Sequence, residues 1–233
     1  VDQVAGTIMA KGALRPDDTL RYLNAQFRQR TCILDGDLVS RLGQERLGEA
    51  DYRGERFKNF KEADAVGKPI SLIGNAELLN LTKAGLITEV HKEYLLAGAD
   101  IVRTNTFACN AVSQKAYAMQ ALVYEMNKAA AQLAKKATAE VTKQEPTKPR
   151  LAAGVLGPTS CRLSQASGTS WTALFEAYAE QVRGLVDGGV DLLMLDGVAD
   201  TMNAKAAIAA VEEHFKSLGR KRLPLLAAAE LAA

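Results

Sequence analysis

The 233-residue sequence predicts an α/β fold of the (β/α)8-barrel type, incomplete, with about six βα units behind an N-terminal extension. Three observations carry this expectation. Short apolar runs alternate with longer amphipathic stretches, the pattern of a parallel sheet covered by helices. Glycines and prolines fall where the units end, at Gly98, Gly157-Pro158 and Gly188-Gly189. No phosphate-binding glycine fingerprint accompanies the repeat, which favours a barrel over a doubly wound nucleotide fold.

Each element follows from its residues. Residues 1–30 stand apart as an extension. Asp17 or Asp18 caps a short helix through Leu20, Tyr22, Leu23 and Phe27, and Lys11, Arg15, Arg21, Arg28 and Arg30 make the rest basic. Such a segment either packs on a neighbouring surface or forms a first helix under the barrel floor. Residues 31–233 hold the barrel units. Thr31–Leu34 is a strand ending at Asp35-Gly36, and Ile70–Ile73 is a second strand or part of a loop before Leu78–Leu81. Lys83–Leu96 is a helix closed by Gly98, a residue free to adopt the left-handed cap. Asp100–Thr104 is a strand, and Ala111–Val141 is one long Ala- and Lys-rich helical stretch of high propensity. The Pro-broken segment 144–149 is a surface loop. Leu151–Leu156 is a strand, Trp171–Val186 a helix, Asp191–Leu195 a strand, Thr201–Leu218 a helix and Leu223–Ala229 a last strand-like run.

Composition narrows the class of protein. Hydrophobic residues make up 48% and charged residues 24%, as expected of a globular α/β domain. With 29 Lys and Arg against 27 Asp and Glu, the net charge of +2 argues against nucleic acid and anionic membrane partners. The longest apolar runs are too short to span a bilayer, so no membrane insertion is expected. Val1–Gly12 lack a charged region followed by an apolar one, so no secretory signal is read there. Cys32, Cys109 and Cys161 are far apart, which fits a reducing compartment better than a disulfide framework. A soluble intracellular protein is expected, the mitochondrion being the organelle considered.

A whole barrel takes about 250 residues, and 200 at the least. About six strands after a thirty-residue extension leave the seventh and eighth units unaccounted for. Open strand edges and exposed interior side chains are costly, at roughly 1.5–3 kcal/mol for each aliphatic residue left in water. Protein subunits of a larger assembly are therefore the expected partners, covering the open side.

Several stretches resemble the N-terminal, homocysteine-binding barrel of cobalamin-dependent methionine synthase. They are Ile33-Leu34-Asp35-Gly36, residues 47–57, Gly74-Asn75-Ala76-Glu77-Leu78-Leu79, residues 91–101 with Thr104-Asn105-Thr106-Phe107, residues 153–159, residues 187–191, and Asp200-Thr201 with residues 203–207. The resemblance implies a barrel in which zinc holds homocysteine as its thiolate, the nucleophile that takes a methyl group. It also implies cysteine zinc ligands late in the barrel, including an adjacent pair in Gly-Gly-Cys-Cys-Gly, a motif not present in this sequence. No metal site and no cofactor are expected of the residues in hand. Zinc is expected only if such cysteines follow.

The sequence also departs from the family at the carboxyl-terminal rim, where barrel enzymes place their catalysts. Where the family's first loop reads Asp-Gly-Gly-Met-Gly-Thr, this chain has Asp35-Gly36-Asp37-Leu38-Val39-Ser40, with two permissive glycines lost. Arg103 stands in place of a glutamate, a reversal of charge. Asp196-Gly197 replaces Glu-Thr, whose carboxylate the resemblance assigns to the substrate ammonium. The loop after Pro158, with Cys161-Arg162-Leu163, is short. Asp35, Gly36, Asn105 and Asp196 are expected as vestigial substrate-binding residues, and no catalytic residue is assigned. His91 and His214, on helices, are expected at a surface or interface. Asp35, Asp196 and Asp200 are expected near one another at the rim, either as helix caps or as a paired-carboxylate site. Cys109 and Cys161 follow neighbouring strands and are read as small packing residues.

The expected function is that of a catalytically inactive, homocysteine methyltransferase-like structural subunit. The alternative is the homocysteine-binding module of a zinc-dependent methionine synthase, a homocysteine S-methyltransferase, seen as a fragment.

Overall fold

The computed structural model describes residues 16–165 and 168–229. The readings made on Val1–Gly12 and on Arg15 lie outside the described residues.

Helix α1 (Pro16–Gln29) begins with proline at its first position and carries Asp17 and Asp18 in the first turn, where the helix dipole favours negative charge. Thr19, Tyr22, Leu23 and Gln26 are buried, an i, i+3, i+4, i+7 stripe. Tyr22 and Leu23 pack against Ile101, Leu151 and Leu192, and the Tyr22 hydroxyl donates to the Pro149 carbonyl at 3.2 Å. The helix thus lies beneath the sheet, at the N-terminal ends of the strands. Arg30 then grips Asp100 through two hydrogen bonds of 2.8 Å.

The sheet has four parallel strands in sequential order: β1 (Ile101–Arg103), β2 (Leu151–Leu156), β3 (Leu192–Val198) and β4 (Leu225–Ala229). About six strands are expected from the sequence, and four are found among the described residues. The strand expected at Thr31–Leu34 is reduced to a single parallel bridge between Leu34 and Ile101. Ile70–Ile73 is a loop and not a strand. The backbone N–H groups of Leu72 and Ile73 donate to the Glu49 carboxylate, so they are not available to a ladder.

Between Leu34 and β1 lie short helices α2 (Leu38–Gly43), α3 (Glu49–Arg53) and α4 (Leu79–Thr82), then α5 (Ala84–Leu96). Between β1 and β2, the single long helix expected over Ala111–Val141 is broken. It runs as α6 (Ala111–Gln114), two 3-10 turns, and α7 (Val123–Gln144). Ala118, between the turns, is left-handed at φ 53°, which no continuous right-handed helix contains. Helix α8 (Trp171–Asp187) precedes β3, and α9 (Thr201–Ser217) follows it. Ser170 and Asp200 cap α8 and α9 by accepting from backbone N–H groups of the first turn.

The outward side chains of the strands meet the helices. Val102 and Ala152 pack on Ala134, Ala137 and Val141 of α7, and Leu193 and Leu195 pack on Leu185 and Val211 of α8 and α9. Helices α7 and α8 approach closely at Gly184 and Gly188. A Cβ added at Gly188 would stand 2.4 Å from the Ala131 Cβ, so both glycines are required by the approach. All six residues of β2 are buried, whereas among the described residues β4 pairs only with β3 and its own residues are half-buried or exposed.

Candidate functional site

A cavity of about 460 Å³ opens at the carboxyl-terminal ends of the strands. Parallel α/β sheets put their ligands at this end. Asp35, Gly36, Asn105 and Asp196, the four residues expected at a substrate site, all line it. They are joined by Arg103, the last residue of β1. Its Nε donates to Asp35 at 2.8 Å and its Nη1 to Asp196 at 2.8 Å, while Nη2 donates to the Gly36 carbonyl at 3.0 Å and the Asp35 carbonyl at 3.3 Å. The Arg103 backbone N–H also donates to Asp35, at 2.9 Å.

The Asp35 side chain is 1% exposed, the Arg103 side chain 27% and the Asp196 side chain 17%. Burial pushes the Arg103 pKa down, but the bonds and charges of Asp35 and Asp196 outweigh it, and the net direction is up. The guanidinium is therefore a fixed cation with both carboxylates committed to it. Gly36 makes the close approach possible, since a Cβ there would meet the Tyr94 ring at 2.7 Å.

The segment after β1 forms the cavity's back wall and is fastened by polar side chains. Val155 N–H donates to the Thr104 hydroxyl at 2.9 Å, and the Thr106 hydroxyl donates to the Val155 carbonyl at 2.8 Å, extending the sheet beyond its backbone ladder. Asn105 Nδ2 donates to the Ala76 carbonyl at 2.7 Å and to Asn80 at 3.2 Å. Gln181 reaches from α8 to donate to the Thr106 carbonyl at 2.8 Å. Phe107, 45% exposed, lies across Gly157 and Gly197, where Cβ atoms would strike it.

Glu77 is the cavity residue that the sequence reading did not single out. It is only 6% exposed and accepts from Ala108 N–H at 2.8 Å. Burial raises its pKa against the backbone N–H groups of Ala108 and of Glu77 itself, which lower it. Its acidic place within Gly74-Asn75-Ala76-Glu77 was the available signal.

The other expected residues fall elsewhere. Asp200 caps α9, accepting from Met202 N–H at 2.8 Å and from the Ser164 hydroxyl at 2.7 Å; it borders a small separate pocket with Asp196 and does not line the cavity that holds Asp35. Asp35 and Asp196 are not caps, because Arg103 takes both. Asp37, which replaces a family glycine, caps α2 by accepting from Val39 N–H at 3.0 Å. His91 is not at a surface. It is fully buried on α5 and neither ring nitrogen has a hydrogen-bond partner. His214 is half-buried, edge-on to Phe215. Cys109 is fully buried, with burial raising its thiol, and Cys161 borders a separate cleft between α6 and α8. Among the described residues, no group of three or more His, Cys, Asp or Glu side chains can hold a metal ion. The zinc implied by the resemblance does not fit these residues. No helix among the described residues is long and apolar enough to cross a membrane.

A sequential parallel sheet, helices on its outer face and a polar cavity at its carboxyl-terminal rim define a protein of the βα-barrel type. The family profile for homocysteine S-methyltransferase matches residues 32–231, and the chain belongs to that family. Among solved structures it is similar to the Escherichia coli homocysteine methyltransferase MmuM. The metallated form matches at 22% identity and TM-score 0.62 over 88% of this chain and 65% of that one. The oxidized form matches at 21% and 0.61, over 86% and 63%. The chain therefore spans a little under two thirds of the length of these relatives.

Proposed function

We propose that this chain is a non-catalytic member of its family with a structural role in a larger assembly. The observation that carries the proposal is Arg103. An internal guanidinium spans Asp35 and Asp196, the carboxylates that the family resemblance assigns to substrate binding. A substrate ammonium would have to displace a tethered cation already held at 2.8 Å on each side. Tethering makes that competition unequal, because the guanidinium is held at high effective concentration and loses no translational freedom.

The assembly role is supported by β4. Among the described residues β4 pairs only with β3, and its Leu225 and Leu226 are half-buried, a face that a protein partner would cover. A protein subunit, in a soluble intracellular setting such as the mitochondrion, is the partner this reading supplies.

The test is a methyl-transfer assay on the purified chain with homocysteine, zinc and methyl donors, run beside titration of homocysteine. No methionine above background and no saturable binding are expected. Turnover dependent on zinc would overturn the proposal and favour the methionine synthase module, a reading that the retained cavity keeps in play.

A further inference from the structure

We propose that the cavity binds a primary amine that carries an apolar arm and no carboxylate, with Glu77 as its anchor. The argument begins with a charge count. Four carboxyl groups line the cavity, those of Asp35, Asp37, Glu77 and Asp196, against one cation, Arg103. Each nitrogen of that guanidinium donates to Asp35, Asp196 or the carbonyls of Asp35 and Gly36. Asp37 is committed to capping α2. Glu77 is different. Among the described residues it meets no cation, and its partners are the backbone N–H groups of Ala108 and of Glu77 itself.

A buried carboxyl with an open acceptor oxygen is costly unless something donates to it. The Asn105 amide nitrogen is used by Ala76 and Asn80, which leaves its carbonyl oxygen to accept. Tyr117 brings a hydroxyl to the same cavity, 3.3 Å from where a Cβ on Gly74 would stand, so Gly74 gives it room. The Glu77 carboxyl and the Asn105 carbonyl oxygen are acceptors in a negative field, and a cation with several N–H donors satisfies them. The walls select an organic cation: Leu38, Val39, Phe107 and Val155 are apolar and line the same space. Aromatic faces add cation–π attraction for an ammonium. An amino acid is disfavoured, because its carboxylate would enter a cavity with no free positive partner. A metal ion is disfavoured because no cluster of three ligating side chains exists among the described residues.

The amine site does not depend on whether the chain catalyses, so its failure leaves the proposed function standing, and the reverse holds too. The test is calorimetric titration of the full chain with phenethylamine and n-butylamine, with phenylalanine as the carboxylate-bearing control. Saturable binding of an amine is expected, with phenylalanine at least tenfold weaker. Glu77→Gln, which keeps an acceptor for Ala108, should weaken amine binding at least tenfold. Val39→Trp fills the cavity without touching Glu77 and should abolish binding with the melting transition retained, which keeps the idea testable should Glu77→Gln not fold. No saturation by either amine at about 10 mM, equal binding of phenylalanine, or unchanged binding in either variant would overturn the site.

Discussion

Replacing Arg103 by methionine isolates the role of the internal cation. The substitution keeps most of the aliphatic stem and removes the guanidinium from Asp35 and Asp196. Removing one partner from a buried ion pair costs about 3–5 kcal/mol, because the other charge is left in low dielectric. Asp35 fits that case at 1% exposure, but Arg103 is 27% exposed, so solvent already screens part of the pair. A loss of about 2–3 kcal/mol is the reasoned magnitude, which corresponds to a melting shift of roughly 5–10 °C for a chain of this size. The assay is urea unfolding at pH 8 and at pH 5. Without its cation, Asp35 escapes the penalty by taking a proton, its pKa being pushed up by burial. The loss should therefore be larger at pH 8 than at pH 5. Asp35→Asn on the same background should recover much of it. A loss below about 0.5 kcal/mol, or one that does not change with pH, would refute the idea that Arg103 neutralises the rim.

Two further outcomes follow from other parts of the molecule. His91, fully buried without partners, has its pKa lowered by burial from 6.5 to about 4, so the unfolded chain protonates first as pH falls. Stability present above pH 6.5 should drop between there and about pH 4 by up to ~3 kcal/mol, and His91→Leu should remove most of that slope, half-buried His214 supplying a smaller part of the same sign; an unchanged slope would refute the assignment. Gly184→Ala should lower the melting temperature, with a cost of about 1–3 kcal/mol, since its Cβ would stand 2.7 Å from the Tyr124 carbonyl oxygen; a rise would show that α7 and α8 are not in tight contact.

Legibility in the sequence followed physical locality. Leu151–Leu156 reads as a strand because its apolar run is uninterrupted, and the structure gives those six residues. Ile70–Ile73 looks similar, yet a carboxylate twenty-odd residues earlier takes its amides, and no local pattern announces such a contact. The break at Ala118 is equally silent, because alanine's propensity argues for helix on both sides of it. His91 reads as polar and proves buried, since the face of a helix that meets a sheet is set by tertiary packing. At the site, Asp35, Gly36, Asn105 and Asp196 were legible from the family resemblance. The bridge through Arg103 was not, because it spans 68 residues on one side and 93 on the other. That geometry exists only once β1 and β3 are placed in one sheet.

The position of α1 bears on how the chain is made. Tyr22 and Leu23 leave the ribosome some 170 residues before Leu192 and Met194, which form part of their seat. At about 5–20 residues per second, the helix waits roughly 10–30 seconds for its binding surface. During that interval Tyr22 and Leu23 lack the Leu192 and Met194 half of the surface that later covers them.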